Sequence, residues 1–176
     1  MMKLVSSTEL LRTKVFRVTE DIVSDGKGFE IRKPIVQHPG AAVMLAIGDN
    51  NRLLLGRQYR IPARGYLWEV PAGRLEPDET PLKAARRELK EETGYTAAKW
   101  TKLCEFYPSP GTLAEKMTVF VARQLTPGTP EPMEDERIEV RFFPWREVES
   151  MIGRGVIRDA KTIISFYRWK ATRGTR

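Results

Sequence analysis

Apolar and polar residues alternate in short runs along most of the chain, and this spacing predicts β-strands. Two runs, 15–23 and 29–36, flank the turn sequence Ser-Asp-Gly-Lys-Gly and predict an antiparallel hairpin. Further strand-like runs are 41–47, 52–57, 66–70, 100–107, 117–123 and 138–143, and helical spacing covers 81–93, 145–152 and 158–169. Strands that alternate with a few helices predict an α/β fold: an α/β/α sandwich with a mixed sheet and a front hairpin.

The segment 81–93 has both a start and a stop signal for a helix. Thr80 followed by Pro81 is typical of an N-cap and a first helical residue, where the missing N–H of proline costs nothing. Gly94 stands where a left-handed residue ends many helices. The predicted buried stripe consists of Leu82, Ala85 and Leu89.

This helix carries a patch of glutamates. Glu88 and Glu92 are four residues apart and share one face, and Glu91 adjoins them. We expect Arg87 to point away from the patch and to reach back toward the preceding loop. Taken alone, such a run is usually a solvated helix face, and like charges four apart cost only about 0.2–0.5 kcal/mol. The glutamates by themselves therefore do not require a metal.

A longer pattern changes this interpretation. Residues 73–95, GRLEPDETPLKAARRELKEETGY, match G-x5-E-x7-R-E-U-x-E-E-x-G-U at every defined position, where U is a bulky apolar residue. Seven identities at fixed spacing are a specific signal. They are Gly73, Glu79, Arg87, Glu88, Glu91, Glu92 and Gly94. The segment resembles the Nudix box, which implies a Nudix-type α/β/α sandwich with a mixed central sheet, a loop-helix-loop metal site and cleavage of a diphosphate linkage.

Composition adds limits on location. The 176 residues are 41% hydrophobic and 30% charged, which fits one ordinary globular domain. A lone cysteine, Cys104, excludes an intrachain disulfide and a cysteine-rich zinc site, and a reducing cytoplasm is the simplest expectation. We expect no membrane partner, because the sequence has no apolar run of spanning length and no signal-peptide stretch at its start.

The net charge of +7 raises the question of nucleic-acid binding. Most of the excess positive charge lies in residues 153–176, which contain seven basic residues and a single acidic one, Asp159. Apolar residues there recur at near-helical spacing, so we predict an amphipathic helix with a basic outer face. Since no RNA- or DNA-binding motif accompanies it, a solvated helix face is favoured over a polyanion surface.

Sequences outside the box resemble one branch of the Nudix hydrolases, the ADP-ribose pyrophosphatases. They are Gln58-Tyr59-Arg60, Glu69-Val70-Pro71-Ala72-Gly73, Ser109-Pro110-Gly111 ending in Glu115-Lys116, and His38-Pro39-Gly40-Ala41. An N-terminal strand subdomain is also typical of that branch, where it helps to build a swapped dimer. The resemblance implies hydrolysis of ADP-ribose to AMP and ribose 5-phosphate by a homodimer. It divides the chain into a small antiparallel strand subdomain, 1–37, for dimerisation and substrate contacts, and a Nudix hydrolase domain, 38–176.

The resemblance also implies roles in the metal site. The implied ligands are Glu88, Glu92 and the backbone carbonyl of Ala72, with Glu91 sharing a further ion. The implied supporting residues are Gly73, Glu69 and Glu79, the last of which either pairs with Arg87 or stands in the outer metal shell. Mg²⁺ is the implied cofactor, with Mn²⁺ as a substitute, because a hard ion that keeps several waters needs few carboxylates.

Candidate catalytic and substrate-binding residues follow from the same resemblance. The general base of this branch comes from an acidic loop outside the box, represented here by Glu134, Asp135 and Glu136. We favour Glu136, then Glu134, although the same acidic stretch is also typical of a solvated loop; Arg87 completes the catalytic set. The implied substrate contacts are Arg60 on the diphosphate, Glu115 on the terminal ribose, Gly111 in the Ser-Pro-Gly loop, and Arg32 across a dimer. His38 is interpreted as structural.

Two alternatives stay open. A Nudix hydrolase with a broader range of nucleoside diphosphate sugars would carry the same box. A Nudix-fold ligand sensor or nucleic-acid-binding protein is disfavoured by the intact glutamates.

Overall fold

The computed structural model describes residues 1–131 and 137–173, with the side chain of residue 173 excepted. The strands are β1 (Lys3–Arg12), β2 (Arg17–Ser24), β3 (Glu30–Gln37), β4 (Ala41–Ile47), β5 (Arg52–Arg60), β6 (Gly65–Glu69), β7 (Ala72–Arg74), β8 (Thr96–Phe106), β9 (Met117–Thr126) and β10 (Glu139–Pro144). The helices are α1 (Pro81–Thr93), α2 (Trp145–Gly153) and α3 (Ala160–Arg173). The chain divides into two compact units, Met1–Gly40 with Tyr107–Lys116, and Ala41–Phe106 with Met117–Arg176.

The first unit contains a three-stranded antiparallel sheet in the order β1-β2-β3. The hairpin predicted from residues 15–36 is confirmed as β2 and β3. Residues 107–116 join this unit through β3, where Val36 accepts a hydrogen bond from Ala114 N–H and donates one to the carbonyl of Thr112. Strand β1 was not predicted, because its apolar residues come in adjacent pairs that place one side chain on each face, and the whole strand is exposed.

The second unit is built on a mixed sheet in the order β10-β5-β4-β9-β8, with β6 paired to β5 and β7 paired to β4. Strands β4 and β9 are parallel, and the other pairs are antiparallel. This confirms the predicted mixed sheet. The short strand β7 was not predicted; it places Gly73 opposite Ala42 of β4.

Strand β4 is buried along its entire length, so both of its faces contact helices. Val43, Leu45 and Ile47 pack in one core with residues of α2 and α3. Ala42, Met44 and Ala46 pack in a second core with Ala84, Ala85 and Leu89 of α1. Helices therefore cover both sheet faces, and the predicted α/β/α sandwich is confirmed. In the described ranges, no helix is both long and apolar enough to cross a membrane.

Both helix signals around α1 are confirmed. The Thr80 hydroxyl accepts a hydrogen bond from the N–H of Lys83 at 3.4 Å, as an N-cap does. Gly94 ends the helix in the left-handed region with φ 74°. These boundaries orient the helix so that Leu89 is fully buried while Arg87, Glu88 and Glu91 stay partly accessible.

Candidate active site

Glu88 of α1 lies directly against Gly73 of β7. A Cβ atom built on this residue would lie 1.8 Å from Cδ of Glu88 and 2.1 Å from its Oε1. Only a residue without a side chain therefore leaves room for this carboxylate. The pairing of β7 with β4 holds Gly73 in place, so the sheet determines where the Glu88 carboxylate lies.

Arg87 connects three of the box carboxylates. Its Nε and Nη2 donate to the two oxygens of Glu79 at 3.1 and 2.8 Å. Its Nη1 donates to Glu88 Oε1 at 2.7 Å and to Glu91 Oε2 at 3.1 Å. Of the two positions considered for Glu79, the structure shows the pair with Arg87.

The expected direction of Arg87 is correct in one respect and wrong in another. The side chain does reach back to the preceding loop, where Nη2 also donates to the carbonyl of Arg74 at 3.0 Å. It does not point away from the glutamate patch, because one guanidinium has enough N–H groups to serve the loop and the patch together. The hydrogen bond from Arg87 lowers the pKa of Glu79, and the bond to Glu79 raises the pKa of Arg87. Glu79 and Arg87 are therefore both charged at neutral pH.

Glu92 lies deeper than the other glutamates of the box. Only 8% of its surface is exposed, and its Oε2 accepts a hydrogen bond from the N–H of Ala72 at 3.2 Å. Glu92, Ala72 and Arg60 line one narrow cleft, which Glu69 and Ile138 also border. The structure thus brings together the implied ligands Ala72 and Glu92 with the candidate diphosphate contact Arg60.

Arg60 is held in this cleft by a buried carboxylate. Its Nε and Nη2 donate to the two oxygens of Glu69 at 3.0 and 2.8 Å. Burial raises the pKa of Glu69, but the hydrogen bond from Arg60 and the charge of Lys161 outweigh it, so the net pKa is lowered. The hydrogen bond to Glu69 in turn raises the pKa of Arg60. Arg60 therefore presents a fixed positive charge to the cleft.

The sequence did not predict the part of α3 that completes this network. Lys161 donates to Glu69 at 2.5 Å and to Asp159 at 2.9 Å, and its side chain is only 12% exposed. The Asp159 carboxylate also accepts from the N–H of Thr162 at 2.9 Å, and the Thr162 hydroxyl accepts from the N–H of Val70. Asp159 directly precedes the helix, which is a recognisable N-cap signal. The predicted helix began one residue earlier, at Arg158, and so concealed it.

Of the remaining candidate residues, three lie in the unit that contains Met1–Gly40, and three lie outside the described residues. Arg32 pairs with Glu20 at 3.0 Å, Glu115 lies 3.4 Å from Nδ1 of His38, and Gly111 belongs to the same unit as both, the one containing Met1–Gly40. His38 Nδ1 also accepts from the N–H of Gly40. The candidate bases Glu134, Asp135 and Glu136 lie outside the described residues.

The donor set fits a hard divalent ion. Oxygens of Glu88 and Glu91 converge on a single positively charged nitrogen of Arg87, so a cation already lies between them. Carboxylate oxygens are the ligands that such ions prefer. With Arg87 in this position, no three acidic, histidine or cysteine side chains within residues 1–131 and 137–173 form a ready-made ligand cluster.

Residues 36–166 match the NUDIX domain family. The chain is 36% identical to the ADP-ribose pyrophosphatase of Bacillus subtilis (strain 168), over 91% of this chain and 88% of that protein. It is 32% identical to the GDP-mannose pyrophosphatase of Cronobacter sakazakii, over 90% and 92% of the two chains.

The fold agrees with these matches. A crystal structure of an ADP compounds hydrolase superposes with a TM-score of 0.83 at 22% identity, covering 99% of this chain and 95% of the other. The chain belongs to the NUDIX domain family and is a Nudix hydrolase.

Replacing Gly73 with alanine tests the close approach to Glu88. The new Cβ displaces a carboxylate at the end of a flexible side chain, so we expect a nearly unchanged melting temperature. Hydrolytic activity and divalent-metal affinity should fall by about 10- to 100-fold, as when a metal ligand loses its support. Gly65→Ala is the matched control, because its Cβ meets only the carbonyl of Ala63 at 3.7 Å. Full activity in Gly73→Ala would contradict this geometry.

Replacing Lys161 with methionine tests the buried network. Glu69 loses one of its two cationic partners, and we expect a loss of about 3 kcal/mol in unfolding free energy at neutral pH. Lys170→Met is the control on the same helix, since its pair with Glu149 is about half exposed and should contribute under about 1 kcal/mol.

The effect of Lys161→Met should depend on pH. Because the pKa of Glu69 is lowered in the folded protein, its stabilising charge is present above the ordinary pKa of a glutamate and is lost as the pH falls through the folded value. Urea unfolding between about pH 7 and pH 3 should therefore show the difference between the wild type and Lys161→Met shrinking toward acid. A difference that grows toward acid would show that Lys161 does not act through this carboxylate.

Proposed function

We propose that this Nudix hydrolase cleaves the diphosphate linkage of ADP-ribose with water, giving AMP and ribose 5-phosphate, in a reaction that depends on Mg²⁺ or, as a substitute, Mn²⁺. The observation that carries the proposal is the gathering of Glu88 and Glu91 around one positive charge, with Glu92 one turn away beside Ala72 and Arg60. This set can hold a divalent ion next to a fixed guanidinium, as a diphosphate requires.

The substrate assignment is supported by the relatives and by the motifs outside the box. The relative from Bacillus subtilis is named an ADP-ribose pyrophosphatase and aligns over most of both chains. Each part of the segment from Glu69 to Gly73 has a structural role in this protein. Glu69 pairs with Arg60, Ala72 donates its N–H to the Glu92 carboxylate, and Gly73 leaves room for the side chain of Glu88.

Each residue has a defined task in the proposed reaction. A divalent ion held by Glu88, Glu91, Glu92 and the Ala72 carbonyl would neutralise the phosphate oxygens and lower the pKa of the attacking water. Arg60 donates N–H groups to the diphosphate, and Glu69 keeps its guanidinium in the cleft. Arg87 restrains the carboxylates through Glu79.

The proposed chemistry needs a base outside the box. Glu136 takes a proton from the water, and the bond between one phosphorus and the bridging oxygen breaks as the new bond forms. The substrate's terminal ribose is the proposed contact of Glu115 and of the loop containing Gly111, and Arg32 is proposed to reach it from a second copy of the chain.

A homodimer is proposed as the working form. In the unit containing Met1–Gly40, strand β1 forms the edge of the sheet, pairing only with β2 among the described strands. It exposes Leu4, Val5, Leu10 and Leu11, each by more than half. An exposed apolar edge strand is a surface that natural proteins usually cover. Sedimentation equilibrium should give twice the chain mass of 20.2 kDa, and a monomer at micromolar concentration would contradict the proposal.

One alternative has a specific observation behind it. Several relatives are named GDP-mannose pyrophosphatases, among them the one from Yersinia enterocolitica at 35% identity over 86% of this chain. A range that includes other nucleoside diphosphate sugars is therefore the second candidate function.

A substrate panel coupled to alkaline phosphatase tests the assignment. ADP-ribose and GDP-mannose carry no terminal phosphomonoester, so inorganic phosphate is released only after the diphosphate has been cleaved. With Mg²⁺ we expect kcat/KM for ADP-ribose to exceed that for GDP-mannose by about tenfold or more. EDTA should abolish both activities, and this is measured by chromatography of the released nucleoside monophosphates, because alkaline phosphatase is itself a metalloenzyme that EDTA inactivates. The reverse preference would make the second candidate correct, and activity that survives EDTA would refute metal dependence.

Glutamine variants at Glu136 and Glu134 test the base. We expect Glu136→Gln to lower kcat by about 10²- to 10⁴-fold, because the water loses its proton acceptor, while KM and the Mg²⁺ dependence change little. Glu134→Gln is the matched control two residues away. A larger effect at Glu134 would move the base to that position.

A further inference from the structure

The basic helix α3 borders a cleft that the hydrolytic site does not use. The cleft has a volume of about 660 Å³ and is lined by Trp169 and Thr172 of α3 and by residues of β8 and β9. Leu103, Val121 and Trp169, which line it, belong to the core formed with α2 and α3. Helix α1 and its glutamates pack on the opposite face of the sheet. The cleft is therefore separate from the box.

The lining of this cleft is strongly basic. Lys99, Lys102 and Arg123 line it, and its described lining contains no carboxylate. Lys102 forms an exposed pair with Glu105 at 2.9 Å. Lys99 and Arg123 lie directly opposite each other on the antiparallel strands β8 and β9, an arrangement in which like charges destabilise a sheet. An anion bound between them would remove this repulsion.

Arg123 is held in a fixed orientation. Its guanidinium lies over the ring of Trp169, 5.0 Å from the ring centre. Its Nε is buried and has no hydrogen-bond partner among the residues that the structure describes. The next residue, Gln124, adopts a left-handed backbone conformation with φ 58°, which is uncommon for a residue other than glycine. A buried guanidinium donor without an acceptor, beside a strained backbone, is typical of a binding position.

We propose that this cleft is a second binding site that takes a small phosphate-bearing anion. A guanidinium and an opposing ammonium match the oxygens of a phosphate or diphosphate group. The volume lies within the range of small-molecule sites, and the cations converge in one cleft instead of following an extended stripe. The proposal does not depend on ADP-ribose being the substrate, because no residue of the box takes part.

Nuclear magnetic resonance of the indole N–H groups tests the site directly. The full chain, labelled with ¹⁵N and kept in EDTA, is titrated with inorganic pyrophosphate, and the Trp169 signal is assigned with Trp169→Phe. We expect a saturable shift of the Trp169 signal and a much smaller shift of the Trp145 signal. Without a divalent ion, the box glutamates repel pyrophosphate, so the active site does not compete.

Substitutions in the cleft define the role of each cation. Lys99→Gln and Arg123→Lys should each weaken pyrophosphate binding by about tenfold or more, the second because a lysine keeps the charge and loses the fork. Lys27→Gln, in the exposed β2–β3 turn, is the charge-matched control and should bind like the wild type. Lys99 is exposed, so its replacement tests the site even where Arg123→Lys does not fold.

Three results would overturn the proposal. The first is the absence of a saturable Trp169 shift up to millimolar pyrophosphate. The second is unchanged binding in Lys99→Gln. The third is tighter binding of a single-stranded RNA oligonucleotide than of pyrophosphate with the same dependence on Lys99, which would identify the face as a nucleic-acid surface.

Discussion

Carboxylates placed on one helical turn repel each other, and in this protein a single guanidinium holds them together. Arg87 donates to Glu79, Glu88 and Glu91, and it also bonds the backbone of the loop that leads into the helix. Without this charge, three acidic groups beside the backbone of β7 would spread into solvent. The arginine therefore keeps the carboxylates of Glu79, Glu88 and Glu91 close together.

The candidate site also depends on packing on both faces of the central sheet. Strand β4 separates the core of α1 from the core of α2 and α3, and β7 pairs with it beside the glutamates. The carboxylates come from the first face, whereas the lysine that neutralises Glu69 comes from α3 on the second. Arg60 is influenced by the charges of Glu92 on α1 and of Asp159 beside α3, so its environment depends on the packing of both helices.

Local signals made much of this structure predictable. The cap at Thr80, the stop at Gly94 and the alternating strands each arise from neighbouring residues, and the bounds of α1 follow from them. The fixed spacing of the box identified the family. The contacts of Lys161 could not be predicted in this way, because its partner Glu69 is 92 residues away and a lysine on a basic helix has no distinctive local pattern. Strand β1 escaped prediction because its side chains are exposed on both faces and no burial pattern marks it.

The bond from the N–H of Val70 to the Thr162 hydroxyl has a consequence for the order in which the protein matures. Val70 lies between Glu69, which pairs with Arg60, and Gly73, which leaves room for Glu88. It therefore belongs to the backbone of the cleft that Arg60, Ala72 and Glu92 line. A ribosome synthesises this backbone well before the helix that secures it, since the two residues are 92 positions apart. The signals that start and end α1 are local, whereas these contacts of the cleft come from α3. A nascent chain halted before residue 159 therefore contains the whole box but lacks the Thr162 and Lys161 contacts that secure Val70 and Glu69.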